Sequence, residues 1–188
     1  MNKRIILAIT GASGSLYAVE FLKVMAALGV EVDGIISAAG EKVLKIELDL
    51  EHKDLKHVRC WYEADDFTAP MASGSSLYHG MAVLPCTMGS LGAIAGGQSR
   101  NLLHRAADVM LKERRPLVLA VRETPLNGVH LRNMLAAHEA GAIICPAMPA
   151  FYNRPETFSE LARDFACRVA ALLGFEAPEM RRWEGSDA

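Results

Sequence analysis

Cysteine and histidine are sparse in this sequence and lack the spacings that bind metal. The four cysteines among 188 residues contain no C-x-x-C pair, so neither a zinc site nor a disulfide framework is expected. The six histidines include no pair at i and i+4 and no H-E-x-x-H motif, which helical zinc sites use. No apolar run approaches the ~20 residues of a transmembrane helix. We therefore expect no bound metal and no membrane-spanning segment.

Aromatic content and net charge are also low. Aromatic residues make up 6% of the chain and the formal net charge is −2, which argues against nucleic-acid or membrane-surface binding because both require a basic excess. Hydrophobic residues make up 51%, mostly aliphatic, as in a buried parallel sheet and in large subunit interfaces. The length suits one domain over residues 1–188. Since no signal-peptide cleavage pattern precedes the first strand, a cytoplasmic protein is expected.

Short apolar runs alternate with segments of helical periodicity along the chain. The expected strands are aliphatic-rich and cover Arg4–Ile9, Val30–Ser37, Met81–Leu84, Leu117–Val121 and Ala142–Cys145. Helices with 3.6-residue spacing are expected to begin near Leu16, Ala38, Leu103, Val129 and Phe158. The segment 51–71 is irregular, with one short strand at Val58–Trp61. This alternation predicts a single α/β domain with a parallel sheet and right-handed crossovers.

Ligands of open α/β sheets bind at the carboxyl ends of the strands, so the loops that follow the strands identify the candidate site. The Gly11–Gly14 turn lets backbone N–H groups at a helix N-terminus approach an anion, which predicts a phosphate-binding turn. Ser37 follows the second strand, where dinucleotide-binding proteins usually carry Asp or Glu for the ribose. The absence of that acid disfavours NAD and favours a smaller mononucleotide, of which FMN is the expected one, but NADP sites lack the acid too.

Three later loops also carry candidate chemistry. The Pro85–Gly92 loop, with small and hydroxyl side chains, either cradles a flavin ring edge and ribityl hydroxyls or is only a strand–helix turn. Arg122 and Glu123 directly follow a buried strand, where charges are costly unless they meet a partner or ligand. The prolines of the Pro146–Pro155 loop make it stiff enough to hold Tyr152 over a pocket.

Two basic residues and a tryptophan lie outside those loops. Lys112 ends a helix, where a cation is favourable in any case. Arg168 lies among small apolar residues of the last helix and suits either an anionic ligand or a surface ion pair. The polar tail, residues 175–188, contains Trp183 and is expected to pack at a subunit interface.

Taken in order, these motifs resemble the UbiX-type flavin prenyltransferases, a branch of the flavodoxin-like flavoproteins. The matching motifs are T-G-A-S-G, A-S-G-S, P-C-T-M-G-S-L, R-A-A-D-V-M-L-K-E-R-R-P-L-V-L, R-E-T-P-L and P-A-M-P-A-F-Y. The block from R-A-A-D to R-E-T-P is the most specific, and the segment 51–67 is the least similar. The resemblance implies a Rossmann- or flavodoxin-like three-layer sandwich with a mainly parallel sheet.

The resemblance implies a metal-independent enzyme that transfers a dimethylallyl group from dimethylallyl monophosphate to N5 and C6 of reduced FMN. The product, prenylated FMN, would serve a UbiD-type decarboxylase. Family members usually form dodecamers with the active site between subunits. A phosphate released without a metal must be held by protein cations.

The resemblance also implies residue roles. The residues implied to hold FMN are Gly11, Ala12, Ser13, Ser37, Thr87, Met88, Gly89, Ser90 and Arg122. Those implied to hold the allylic phosphate are Lys112, Arg122, Tyr152 and Arg168. Tyr152 and Trp183 would offer aromatic faces to positive charge on the allyl group. Glu123, helped by Ser13 and Glu47, would transfer protons.

Four other functions compete with this one. An FMN-dependent cysteine decarboxylase has the same fold but would resemble a P-A-S-A-N-T loop, where this chain has Pro85–Ser90. A carrier that only stores FMN would need none of Lys112, Glu123 and Arg168. Direct decarboxylation of aromatic acids would need a carboxylate-expelling site, which no motif supplies without a partner. A short-chain dehydrogenase is excluded because none of the four tyrosines begins a Y-x-x-x-K motif.

Overall fold

Aliphatic segments pair side by side to form the central sheet of the protein, seen in a computed structural model that describes residues 3–178 and 180. Within these residues the strands are β1 Arg4–Ile9, β2 Glu31–Ile36, β3 Cys60–Tyr62, β4 Met81–Cys86, β5 Leu117–Val121 and β6 Ile143–Ile144. The helices are α1 Ser15–Ala27, α2 Ala38–Leu48, α3 Met88–Ala95, α4 Leu102–Lys112, α5 Gly128–Glu139 and α6 Phe158–Leu172. Two short 3₁₀ turns cover His52–Asp54 and Pro70–Ala72.

The sheet is parallel throughout and runs in the order β3-β2-β1-β4-β5-β6. Because β1 and β4 are neighbours, the chain leaves the middle of the sheet in opposite directions on its two sides. Such a reversal opens a crevice at the carboxyl ends of the two central strands, which is where ligands of this architecture bind. The predicted single-sheet α/β sandwich is confirmed.

Both faces of the sheet are buried, as the aliphatic runs predict. Ile5 and Leu7 of β1 pack on one face in a cluster with Phe21 of α1 and Phe165 of α6. Ile6 points to the other face, in a cluster with residues of α3 and α4. Strands buried on both sides read as continuous apolar runs rather than alternating ones, which is why they were visible in the sequence.

Element boundaries depart from the predictions at several places. β3 covers Cys60–Tyr62 rather than 58–61, and β6 covers only Ile143–Ile144 of the expected 142–145. The largest differences lie around β4. The strand expected to stop at Leu84 continues through Pro85 to Cys86; the pairing with β5 shifts register between Val83 and Cys86, and such an irregularity tolerates a proline that has no N–H for the ladder. Residues 88–92, expected in a loop, are helical. The Thr87 side chain caps this helix by accepting from the Ser90 N–H at 3.2 Å, a start signal that the glycine-rich sequence obscured.

The first residues of the tail after α6 pack on the domain itself. Phe175 and Ala177 are 7% and 5% exposed and pack in the chain's own core, so the first residues of the tail dock on their own domain. Trp183 lies outside the described residues, and its proposed place at an interface stays a prediction.

A buried carboxylate on β2 connects this strand to the residue before β3 and to the loop before β4. Asp33 of β2 is fully buried, and its Oδ2 accepts from the Arg59 guanidinium and the Tyr78 hydroxyl, each at 2.6 Å. Burial, followed by the hydrogen bond to Asp33, raises the pKa of Tyr78, so this hydroxyl stays protonated and donates.

We expect Asp33→Asn to lower the free energy of unfolding by about 1–3 kcal/mol, because it weakens two hydrogen bonds at a buried site. Urea denaturation measures this loss. Glu31→Gln is the matched control on the same strand, since Glu31 is half-exposed and 3.9 Å from Arg59, and its effect should stay within about 0.5 kcal/mol. Equal losses in the two variants would show that the buried carboxylate has no special role.

Candidate active site

A buried threonine fixes the two strand ends that form the crevice. Thr10 follows β1 and is 2% exposed. Its hydroxyl donates to the Pro85 carbonyl at 2.7 Å and accepts from the Thr87 N–H at 2.9 Å. These bonds hold the loop after β1 against the loop after β4. The sequence analysis did not single out Thr10, although a hydroxyl at the end of a buried strand was a usable signal.

Close backbone approach brings the N-terminus of α2 to the same place. A Cβ on Gly11 would lie 2.5 Å from the Ala39 Cβ, so only glycine fits there. The Ser37 N–H donates to the Ile9 carbonyl at 3.0 Å, and the Ser37 hydroxyl caps α2 by accepting from the Gly40 N–H at 3.0 Å. The N-termini of α1, α2 and α3 therefore converge on the crevice, where their dipoles favour an anion.

The crevice also offers hydrogen-bond donors with room around them. Among the residues that the structure describes, none accepts a hydrogen bond from the N–H of Gly11, Ala12 or Ser13. A Cβ on Gly89 would meet open space, its nearest neighbour being the Thr87 hydroxyl at 4.0 Å. These features fit a phosphate-bearing ligand with a polyol chain, such as FMN.

The methionine of the same loop turns away from the crevice. Met88 is 9% exposed and packs in the core. The buried Met88 side chain therefore leaves the backbone at the start of α3 as the part of this residue that a ligand could contact.

Glu47 occupies the N-terminus of α1, which the sequence analysis did not foresee. Its carboxylate accepts from the Gly14 N–H at 3.0 and 3.1 Å and from the Ser15 N–H at 2.8 Å. Burial raises the pKa of Glu47, but hydrogen bonds from the Ser13 hydroxyl and these two amides outweigh burial, and the resulting pKa lies below its ordinary value. The predicted phosphate-binding turn is therefore divided: the Gly14 N–H holds Glu47, whereas the N–H groups of Gly11, Ala12 and Ser13 have no acceptor among the described residues.

Loss of this cap should be visible in the pH dependence of stability. We expect Glu47→Gln to lower the free energy of unfolding by about 0.5–2 kcal/mol at neutral pH, as for other N-terminal caps. Because folding lowers the pKa, this contribution is present above the ordinary glutamate pKa of 4.5 and is lost as pH falls through the folded-state value. Urea denaturation over that range should show the gap to wild type closing; a gap that stays constant would contradict the assignment.

Arg122 and Glu123 lie at the carboxyl end of β5, beside the crevice. The Arg122 N–H donates to the Cys86 carbonyl at 3.1 Å, and Glu123 accepts from the Thr124 N–H at 3.0 Å. Both side chains are exposed in the single chain, so they do not carry the burial cost that the sequence analysis expected. Burial raises the pKa of Tyr17, whereas the charge of Arg122 lowers it, which places the guanidinium near the first turn of α1.

Tyr152 and Arg168 both line a cavity of about 640 Å³ between the loop after β6 and helix α6. Cys145 and Asp164 also line it. Burial raises the pKa of the Cys145 thiol and the nearby Arg168 lowers it. Among the described residues, the lining of this cavity combines the Arg168 guanidinium with two aromatic rings and two carboxylates.

Lys112 does not join these residues within one chain. Lys112 is the last residue of α4, just before β5 begins. Its side chain lies over Gly74, since a Cβ added to Gly74 would be 2.6 Å from the Lys112 Nζ. Lys112 also pairs with Glu113. The five residues of β5 separate this edge of the sheet from Arg122 by roughly 17 Å at 3.3 Å per residue. A role for Lys112 in the crevice therefore requires a second copy of the chain.

The described residues contain neither a metal-binding cluster nor a membrane-spanning helix. Within residues 3–178 and 180, no group of three or more His, Cys, Asp or Glu residues is placed to hold a metal ion. In the same part of the chain, no helix has the length and apolarity to cross a membrane.

Comparison with known proteins identifies one group repeatedly. Residues 1–163 match the family model described as Flavoprotein. The flavin prenyltransferase UbiX of Methanothermobacter thermautotrophicus is 46% identical over 187 residues, covering 98% of this chain and 97% of that protein.

Solved structures agree with the sequence relatives. The crystal structure of AnUbiX (PadA1) in complex with FMN and dimethylallyl pyrophosphate has a TM-score of 0.96 and 38% identity, covering 99% of this chain and all of that one (100%). A dodecameric FMN-dependent UbiX-like decarboxylase from Escherichia coli O157:H7 has a TM-score of 0.92 and 38% identity, covering 97% of this chain and 100% of that one.

Proposed function

The chain belongs to the UbiX flavin prenyltransferases within the flavoprotein family, and we propose that it joins the dimethylallyl group of dimethylallyl monophosphate to N5 and C6 of reduced FMN. The observation that carries this proposal is the crevice itself, where three helix N-termini and unpaired backbone amides meet at the switch point of the sheet. The full-length similarity to flavin prenyltransferases supports the same reaction.

The crevice fits FMN through groups that a phosphate and a ribityl chain require. The amides of Gly11, Ala12 and Ser13 would bind the phosphate, with Ser37 beside them and Arg122 at the next strand end. Residues Thr87, Met88, Gly89 and Ser90 would contact the ribityl chain and the ring edge through backbone and hydroxyl groups. When bound, reduced FMN supplies the electron-rich nitrogen and carbon that accept the C5 unit.

The donor site must stabilise opposite charges on the two parts of the donor. Cleavage of an allylic phosphate leaves positive charge on the C5 unit and negative charge on the phosphate, and preorganised groups that match both lower the barrier. Arg122 and Arg168 are the cations for the phosphate, with Lys112 from a second copy. Tyr152 offers its hydroxyl to the phosphate and its ring face to the C5 unit.

Glu123 and the Ser13–Glu47 pair handle protons in this proposal. Glu123 is exposed at the strand end beside the crevice, free to receive a proton from the flavin and to pass it to the departing phosphate. Glu47 is held as a carboxylate by the N-terminus of α1. Its role is therefore to accept a hydrogen bond or a proton through Ser13 rather than to donate one.

Assembly would bring Lys112 into the site. Large apolar side chains are exposed on α5, on the loop before α6 and at the first residue of α6, including Leu131, Leu135, Phe151 and Phe158. Exposed apolar patches of this kind mark subunit interfaces. We propose a dodecamer, in line with the E. coli neighbour, in which Lys112 of one subunit faces Arg122 of another.

Mixed assemblies test this shared site. Lys112→Ala and Arg122→Ala should each be inactive alone, whereas co-expression of the two should restore roughly a quarter of the sites, those that receive both intact residues, in a symmetric oligomer. Prenyl transfer per mole of mixed protein measures the recovery. No recovery above the parents would place both residues in the site of one chain or outside it.

The product and location follow from the same proposal. Prenylated FMN would be passed to a UbiD-type decarboxylase, which uses it as a cofactor. The exchange would take place in the cytoplasm.

Phosphate release separates this function from the alternatives. Protein loaded with FMN and reduced without oxygen should release one equivalent of inorganic phosphate per flavin from dimethylallyl monophosphate, also in the presence of EDTA. An FMN carrier or a cysteine decarboxylase would release none. Release from the oxidised protein at the same rate would also contradict the proposal, because oxidised FMN is not a nucleophile.

A further inference from the structure

We propose that Asp164 is a positioning residue of the donor site, whose carboxylate holds the loop carrying Tyr152 against α6 beside Arg168. The inference rests on the function proposed above and adds a residue that neither the motifs nor the chemistry of the reaction singled out.

The loop between β6 and α6 is anchored at both ends. Near its start, the Ala147 N–H donates to the Val121 carbonyl at 2.9 Å. Near its end, the Glu156 N–H donates to the Glu160 carboxylate at 2.8 Å. Tyr152 lies between these anchors and is 54% exposed, so the contacts made by the middle of the loop contribute to the position of its ring.

A side-chain hydrogen bond joins the middle of the loop to α6. The Asn153 side-chain amide donates to Asp164 Oδ2 at 2.9 Å, directly after Tyr152 in the sequence. Asp164 and Arg168 are four residues apart on α6 and therefore share a face of the helix. Both line the cavity of about 640 Å³ together with Tyr152. The same carboxylate thus connects the two sides of the donor cavity.

Loss of this connection should weaken binding of the prenyl donor more than it slows the chemical step. When only a fraction of the molecules hold the loop in the competent position, the apparent affinity falls by that fraction. Once the donor is bound, Tyr152 and Arg168 are unchanged. A positioning role therefore predicts a rise in KM with little change in kcat.

Asp164→Leu and Asp164→Asn form a matched pair, because asparagine keeps an oxygen that accepts from Asn153 and leucine does not. We expect Asp164→Leu to raise the KM for dimethylallyl monophosphate about tenfold, with kcat and FMN affinity within about twofold of wild type. Asp164→Asn should restore a KM near wild type. Asn153→Ala should raise the KM as much as Asp164→Leu does. The KM of the double variant should be no higher than that of either single variant, since both substitutions remove the same hydrogen bond.

Hydrogen exchange of the FMN-loaded protein provides a readout that does not depend on turnover. Exchange in the peptide covering residues 146–157 should accelerate in Asp164→Leu and Asn153→Ala and not in Asp164→Asn. Unchanged exchange and KM in both disrupting variants would overturn the proposal, as would additive effects in the double variant. If wild-type protein fails to prenylate FMN, the proposed function fails, while the exchange comparison still decides whether Asp164 holds the loop.

Discussion

Replacing Glu123 with glutamine should lower kcat about 10²–10⁴-fold, the usual contribution of a general acid–base, and leave FMN bound. Glutamine keeps the size and the oxygen that accepts from the Thr124 N–H, so the loop after β5 should keep its shape. It cannot take up and return a proton. Rapid mixing of reduced, FMN-loaded protein with the donor, followed by separation of the flavins, measures the rate.

Glu139→Gln is the matched control for this substitution. Glu139 is the last residue of α5 and is exposed, so the same change of charge and shape occurs away from the crevice. Its rate should equal that of wild type. Loss of FMN from Glu123→Gln would assign Glu123 to flavin binding instead, and an unchanged rate would remove it from proton transfer.

Gly11→Ala should abolish FMN binding or weaken it by orders of magnitude. The new Cβ would lie 2.5 Å from the Ala39 Cβ and 3.2 Å from the Ala39 carbonyl carbon, so either the turn or the start of α2 must move. Overpacking of this kind costs about 1–3 kcal/mol of stability. The larger effect falls on the ligand, because the displaced amides of Gly11, Ala12 and Ser13 no longer point together at the phosphate. Fluorescence titration with FMN measures the loss.

Substitutions at two other glycines distinguish the effect of crowding within the chain from the effect of contact with the ligand. Gly128→Ala introduces a Cβ whose nearest neighbour is the end of the Arg132 side chain at 3.4 Å, and should bind FMN like wild type. Gly89→Ala meets open space in the chain alone. It should therefore fold normally yet bind FMN more weakly, because the ligand would occupy that space. Wild-type FMN affinity in Gly11→Ala would contradict the assignment of the crevice.

The strand-end loops could be found from the sequence because local signals define them. Each follows an aliphatic run, and turn glycines and hydroxyl residues mark the change from strand to helix at Gly11 and Thr87. Parallel topology then places those loops at one edge of the sheet without any further information. The pairing of Ser13 with Glu47 was implied by resemblance only, and the structure brings these two residues together.

Other features depend on contacts that no local pattern encodes. Glu47 caps a helix that begins 32 residues earlier in the chain, and a capping search within one helix does not see such a pair. Lys112 belongs to a motif that matches the family, yet its place at the opposite edge of the sheet follows only from the direction of α4. Asp164 depends on how a proline-rich loop folds back onto α6, which sequence spacing does not determine.

The claim that FMN is modified in the crevice is tested most directly by the mass of the flavin. After anaerobic reduction and incubation with dimethylallyl monophosphate, the flavin is released from the protein by denaturation and weighed by mass spectrometry. The account predicts the mass of FMN increased by one C5 unit. Unmodified FMN after incubation with both the monophosphate and the diphosphate donor would contradict it.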